Sequence, residues 1–329
     1  MDGNKTTIVL ASTLTLLSIA SLFVGAANVP LASLFEGDAW QIFLISRLPR
    51  LCAILCTGVG MSVAGLIMQQ LCMNKFVSPT TGATISSAQM GILFALVFAP
   101  NASLIGRTAF AFVFAITGTW IFVWFIQRIA FKDVIMVPLV GIMFSYIIGG
   151  VTNYFAYKFE LTQALSTWLV GHFSMVLRGR YEIVWLAAPL VLLAFIYANY
   201  FNIVGMGKEF AGNLGVSYGF VLVSGLSIAA MITAATVAVV GSIPYIGLVV
   251  PNIVSMFKGD RIKGTLPDTA LLGALFVLVC DVIARLAIAP YELPIGLVSG
   301  IVGSILFIVL LMYRLRHGRK AIVRKGVSK

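Results

Sequence analysis

Residues 6–35 read TTIVLASTLTLLSIASLFVGAANVPLASLF, with no charged residue between Lys5 and Glu36. About 20 apolar residues suffice to cross the hydrocarbon core of a bilayer as a helix. The run is too long for the apolar core of a secretory signal. The small residues Gly25, Ala26 and Ala27 resemble a cleavage site only loosely, so the run is read as a retained span. Its apolar residues are continuous rather than alternating, which predicts a helix and not a barrel strand.

The same texture extends through all 329 residues. The chain is 60% hydrophobic and 10% charged, with a mean hydropathy of +1.05. Soluble domains carry about 25% charged residues. This composition excludes a soluble enzyme, a disulfide scaffold and a disordered chain. It predicts an all-α polytopic membrane protein whose residues 1–329 form a single transmembrane domain. Apolar runs place about ten spans at residues 8–28, 48–73, 84–98, 104–128, 133–157, 181–201, 219–241, 246–258, 268–287 and 295–313. The third and eighth are short. Segment 159–180 is semi-polar and is expected to lie at an interface, and 202–218 is a Gly-rich loop with short helical potential.

Charge supplies an orientation. Lys and Arg number 22 against 11 acids, a formal net charge of +11. Seven of the basic residues fall in the tail 314–329. Such clusters mark cytoplasmic helix ends and contact anionic lipid, so no nucleic-acid partner is expected. With an even number of spans and both termini inside, fifteen basic residues lie inside and seven outside. The outer set is Arg47, Arg50, Arg107, Lys158, Arg178, Arg180 and Arg285. The positive-inside bias disfavours them, so they need a purpose.

Motifs for catalysis are missing. Gly207-Lys208 is followed by Glu209, and Asn202 stands where a P-loop needs its first glycine. His172 and His317 form no zinc signature. Cys52, Cys56, Cys72 and Cys280 sit in apolar runs without His, Asp or Glu to complete a metal site. No cofactor or metal is expected.

Polar and small residues inside spans carry more information. Asp281 is read as the one acid well inside a span, and Arg285 follows one helical turn later. The pair is either a fixed ion pair or, if Asp281 carries protons, the coupling element of a secondary transporter. Gly141, Ser145 and Gly149 recur every four residues in the fifth span, and Gly296, Gly300 and Ser304 do so in the tenth. Such stripes serve packing within the chain or a subunit interface. Gln69, Gln70 and Asn74 cluster at the end of the second span, and Pro251-Asn252 interrupts the eighth. These are pathway candidates, because broken helices must line protein or water.

Several of these segments together resemble one family. Arg47-Leu48-Pro49-Arg50, Gly58, Gly65, Gln69-Gln70 and Asn74 resemble the opening pattern of type II ABC importer permeases for iron-siderophores and vitamin B12. Ala211, Leu214 and Gly215 resemble their A-x-x-L-G loop. Gly241-Ser-Ile-Pro-Tyr-Ile-Gly247-Leu-Val-Val-Pro251 resembles a further element. Asp281-x-x-x-Arg285 with Glu292-Leu293-Pro294-x-Gly296 resembles the closing one. The resemblance runs from about Arg47 to Tyr313. Departures occur at Asn74-Lys75-Phe76, at Pro251-Asn252-Ile-Val-Ser255 and at Gly303-Ser304-Ile305-Leu306-Phe307. The Pro-Asn-Ile-Val-Ser form is similar to the branch importing petrobactin, anguibactin and enterobactin-type siderophores.

The resemblance implies ten helices with inverted repeats, helices 2–5 against helices 7–10. It implies two permeases, identical or paralogous with the paralogue favoured, meeting at the fifth and tenth spans around a central pathway. It implies a bacterial cytoplasmic-membrane location with separate ABC ATPase subunits docked on 202–218, through Lys208, Glu209, Ala211, Gly212, Leu214 and Gly215. It also implies a periplasmic or lipid-anchored siderophore-binding protein received by Arg47, Arg50 and Arg285, with Asp281 holding Arg285.

Overall fold

The computed structural model describes residues 3–24, 40–41, 43–81, 83–128, 136–177 and 182–326. Lys132, Arg178, Arg180, the Gly25–Ala27 stretch and the side chains of the basic tail lie outside the described residues.

Among the described residues twelve named α-helices follow in order. They are α1 (Gly3–Phe23), α2 (Leu48–Leu71), α3 (Thr84–Phe98), α4 (Leu104–Arg128), α5 (Met136–Lys158), α6 (Thr162–Leu169), α7 (Ala187–Val204), α8 (Lys208–Asn213), α9 (Tyr218–Val240), α10 (Ile246–Lys258), α11 (Ile262–Leu286) and α12 (Ile295–Gly326). Eight are long and apolar enough to cross a membrane, and α3 and α10 are shorter apolar helices. The sum is the ten expected spans, the third and eighth short. The amphipathic segment contributes only α6, and the Gly-rich loop only α8. Among the described residues no strand forms; isolated bridges pair Val170 with Ser242 and Ile288 with Tyr291.

The two halves share a plan. Helices α2 to α5 have 24, 15, 25 and 23 residues, and α9 to α12 have 23, 13, 25 and 32. An offset of five spans makes the halves run in opposite senses, as in inverted-repeat transporters. Each short helix is entered the same way. Ala83 before α3 has φ 64° and Tyr245 before α10 has φ 69°, a left-handed turn that non-glycine residues rarely adopt.

Helix α2 is the axis. It is buried along almost its whole length and packs against α9, α10 and α11. Small residues permit the closest crossings. A Cβ on Gly58 would lie 2.5 Å from the carbonyl oxygen of Gly273 in α11, and one on Gly65 would collide with the backbone of Gly247 in α10. Three apolar clusters fill the remainder. They centre on Ile67, Phe201 and Leu266; on Ile54, Ile246 and Leu278; and on Ile92, Ala115 and Leu165.

Pro251 breaks the hydrogen-bond ladder of α10. Lacking an N–H, it leaves the carbonyl of Gly247 without its helical donor. Gln69 of α2 replaces that donor, its Nε2 giving hydrogen bonds to Gly247 O at 3.1 Å and Leu248 O at 3.2 Å. Asn252 Nδ2 donates to Leu248 O and to Lys75 O, both at 2.7 Å. Gln69→Leu is therefore expected to cost about 1–3 kcal/mol, the penalty of an unsatisfied buried carbonyl. Thermal unfolding of the purified permease in detergent would measure it.

Helix bounds moved in two informative places. The ninth span begins at Ile262 rather than 268, which puts a second acid, Asp268, inside it and 2% exposed. Asp281 is thus not the one acid within a span. Helix α1 begins at Gly3 and touches chiefly α11. Its ends are pinned: Thr7 Oγ1 donates to Asp268 Oδ1 at 2.7 Å, and Arg285 Nη1 donates to Ser21 O at 3.0 Å.

Candidate functional site

Polar chemistry collects at the two ends of the bundle. One end holds the α1 C-terminus, the α2 N-terminus and the α11–α12 turn, and is called the arginine face here. The opposite end holds α8 and is called the loop face.

At the arginine face, α2 brings Arg50 to α11. Arg50 donates to Asp281 Oδ1 from Nη2 at 2.7 Å and from Nε at 3.2 Å. Its Nη1 donates to both oxygens of Glu292 at 2.9 Å. Asp281 also pairs with Arg285 one turn on, Nη2 to Oδ2 at 2.7 Å. Arg285 further donates from Nη2 to Ser21 Oγ at 2.5 Å. Arg47 donates to Leu22 O. The last carbonyls of a helix lack partners of their own, so Arg47 and Arg285 act here as caps on the end of α1. Asp281 is 1% and Arg285 8% exposed. Of the three arginines expected to face a partner, Arg285 is thus buried within the chain, and Arg50 is engaged on one side by a buried acid and on the other by Glu292. Sequence spacing revealed the Asp281–Arg285 contact; it gave no sign that Arg50 and Glu292 complete the cluster.

At the loop face, α8 is bracketed by Gly207 (φ 109°) and Gly215 (φ 70°). Left-handed backbone at both ends turns the chain out of α7 and back into α9. Ala211 is the buried anchor, while Lys208, Glu209, Gly212, Leu214 and Gly215 are exposed. Phe210 and Leu214, one turn apart, project with Met206 as a bare apolar knob. Phe210 and Met206 were not singled out from sequence, because apolar residues in an apolar chain carry no contrast. Around the knob the loop face is cross-tied. Asn202 Oδ1 accepts from the Ile262 amide at 3.0 Å, capping α11. Lys75 pairs with Asp260, and Lys258 with Asp268.

Each pathway candidate has a neighbour within the chain. Gln69 and Asn252 brace α10 as described, Pro251 is buried, and Asn74 Oδ1 accepts from the Phe76 amide at 2.9 Å. Gln70 lies against Gly205. The small-residue stripes also have neighbours in the chain. The Gly296 amide donates to Gly171 O at 3.4 Å, and Gly300 borders Pro244. Ser145 and Ser304 donate to the carbonyls of Gly141 and Gly300, at 2.9 and 2.7 Å. Gly149 is 4.0 Å, measured from a built Cβ, from Ser86 Oγ. The exposed rows lie beside these stripes: Leu297, Ile301 and Ile305 on α12, and Tyr146, Asn153 and Tyr157 on α5.

The α5 row is chemically distinct. Tyr146 is at mid-helix and 77% exposed, and Tyr157 is 82% exposed. The two are about 16 Å apart along the axis at 1.5 Å per residue. An unpaired hydroxyl turned to hydrocarbon costs about 1–3 kcal/mol by protein mutational measures. Two phenols and the Asn153 amide thus share one exposed face of α5. Helix α5 packs on α3 and on the Pro79–Thr81 turn, and α12 packs on α10 and α11. Pro79 also touches Gly247, and Tyr245 fits against Gly303. Both exposed rows therefore flank the same broken-helix region.

An inverted-repeat bundle of about ten apolar helices, two of them short and one interrupted at Pro251, with an exposed loop helix, fits a transporter permease. The chain belongs to the FecCD transport family, whose pattern matches residues 13–313. It is 45% identical to the petrobactin import system permease protein YclN of Bacillus subtilis (strain 168), over 92% of this chain and 96% of that one. It is 38% identical to the ferric-anguibactin transport system permease protein FatD of Vibrio anguillarum, over 90% and 95% of the two chains. A solved metal-chelate-type ABC transporter in an inward-facing conformation shares the fold, with a TM-score of 0.81 and 24% identity, covering 94% of this chain and 99% of that one.

Proposed function

We propose that this chain is the membrane permease of an ATP-driven importer that carries a ferric siderophore of the petrobactin or anguibactin kind into the cytoplasm. The observation that weighs most is the 45% identity to a petrobactin permease along nearly the whole of both chains. In this reading both termini are cytoplasmic, the loop face receives separate ABC ATPase subunits, and the arginine face receives a siderophore-binding protein. The ATPase subunits contact the knob around α8. A second permease, a paralogue in preference to an identical copy, meets the α5 and α12 surfaces beside the Gly141–Ser145–Gly149 and Gly296–Gly300–Ser304 stripes.

Transport then follows alternating access. The loaded binding protein delivers its cargo at the arginine face. ATP-driven motion of the paired ATPase subunits is passed through α8 to α7 and, by the Asn202 cap, to α11. The path between the permeases opens to one side at a time, and the neutral donors Tyr146, Asn153 and Tyr157 are suited to a cargo that must move on. A site of passage has to bind weakly enough to release. The chain itself performs no bond chemistry. A proton-coupled role for Asp281 finds little support in a carboxylate 1% exposed and held between two guanidiniums.

The deciding experiment is uptake of iron-labelled siderophore by cells lacking the gene, with and without its restoration. Uptake is expected to need the gene and ATP and to survive a protonophore while ATP is maintained. Uptake that collapses with the proton gradient at constant ATP would overturn the reading.

A further inference from the structure

We propose that Glu292 is an internal counter-ion that occupies Arg50 in the free permease and is displaced by a carboxylate of the docking protein. The inference rests on the importer reading. It starts from a charge count. The cluster at the arginine face contains two guanidiniums, Arg50 and Arg285, and two carboxylates, Asp281 and Glu292. These four sum to zero, and both guanidiniums of the cluster are already paired when an acidic partner approaches; Arg47, the third cation of this face, donates to Leu22 O outside the cluster.

The four members are not equivalent. Asp281 and Arg285 are sealed inside, with side chains 1% and 6% exposed, whereas Arg50 and Glu292 reach the surface at 14% and 26%. Asp281 touches both guanidiniums at 2.7 Å, so one inner carboxylate already serves two cations. The second positive charge is balanced by Glu292 alone. Both Glu292 oxygens lie 2.9 Å from Arg50 Nη1, so the outer edge of the guanidinium is already shaped to a carboxylate.

Glu292 can leave without unfolding anything. Its backbone is fixed by the following residue, the Leu293 amide donating to Ala284 O at 2.9 Å. Release is a rotation of one half-exposed side chain, a fast event beside domain motion. Exchange of one carboxylate for another conserves the ion pair, so Arg50 never stays desolvated and alone. An unpaired buried charge is the costly state. The device keeps docking reversible, as each transport cycle requires.

The test is the affinity of the assembled importer for the siderophore-binding protein encoded with it, measured across a salt series. Glu292→Gln leaves Arg50 without its outer counter-ion. It is expected to bind the partner at least about tenfold tighter, a change of about 1.4 kcal/mol, with slower release and a steeper salt dependence. Equal or weaker binding by a folded E292Q importer would overturn the proposal and make Glu292 a plain orienting group. Glu292→Asp keeps the charge but shortens its reach, and is expected to bind tighter than the parent by a smaller factor. If E292Q does not assemble, E292D decides by the same criterion. A parent importer that binds no such protein and imports no siderophore would instead remove the importer reading.

Discussion

Asp281→Ala is expected to produce the largest loss of stability of any single change in this chain. Its carboxylate contacts two arginines, one of them nearly sealed from solvent. Removing one partner of a buried ion pair typically costs 3–5 kcal/mol, about as much as many proteins possess in total. Here the loss also frees Arg285, which caps the end of α1. The permease should fail to accumulate, or unfold at a markedly lower temperature in detergent. The physical cause can be separated from loss of shape. Replacing both charges, as in Asp281→Leu with Arg285→Met, should recover part of the stability, because a well-packed apolar pair often matches a buried ion pair. A double variant no better than Asp281→Ala would show that Arg50, not Arg285, sets the penalty.

The second large effect concerns transport rather than folding. Phe210→Asp together with Leu214→Asp replaces the exposed knob of α8 with charge. Both side chains already face outward, so the fold loses little. An apolar anchor at the centre of a contact often carries most of its energy. The ATPase subunits should no longer co-purify with the permease, and ATP-dependent uptake should fall by at least about tenfold, the equivalent of 1.4 kcal/mol. Binding-protein affinity at the arginine face should be unchanged. Retained uptake with retained co-purification would remove α8 from the coupling machinery.

Much of this architecture was legible because a bilayer constrains sequence strongly. Continuous apolar runs placed about ten spans, since a helix in lipid must satisfy its own backbone; the two short ones were not settled by periodicity and drew their support from the family resemblance. Helix ends were less legible. The ninth span was drawn from 268, whereas α11 begins at Ile262 under a cap supplied by Asn202, 60 residues away. Local pattern holds no record of such a distant donor. The same limit applies to the sites. Asp281 and Arg285 were paired from spacing because one helix turn joins them. Arg50 and Glu292 are separated by 242 residues, and only folding brings them together. Gln69 and Asn252 looked like pathway residues because polar groups in spans attract that reading. Their partners show a bracing task that the missing N–H of Pro251 creates. The phenols of α5 passed unnoticed, since tyrosine blends into an aromatic-rich membrane chain until its exposure is known.

The pinning of α1 has a consequence for biogenesis. Its anchors are separated by 261 and 264 residues, so α1 is synthesised long before the residues of α11 that hold it. Until α11 enters the bilayer, α1 has Arg47 as its charged partner but lacks both Asp268 and Arg285, and most of the surface it packs against. The newborn chain must therefore keep its leading helix parked in lipid, and assembly closes like a clasp when the ninth span arrives. Contacts of such long sequence separation form late in folding. A nascent permease arrested before α11 would hold α1 only through Arg47 and its contacts with α2.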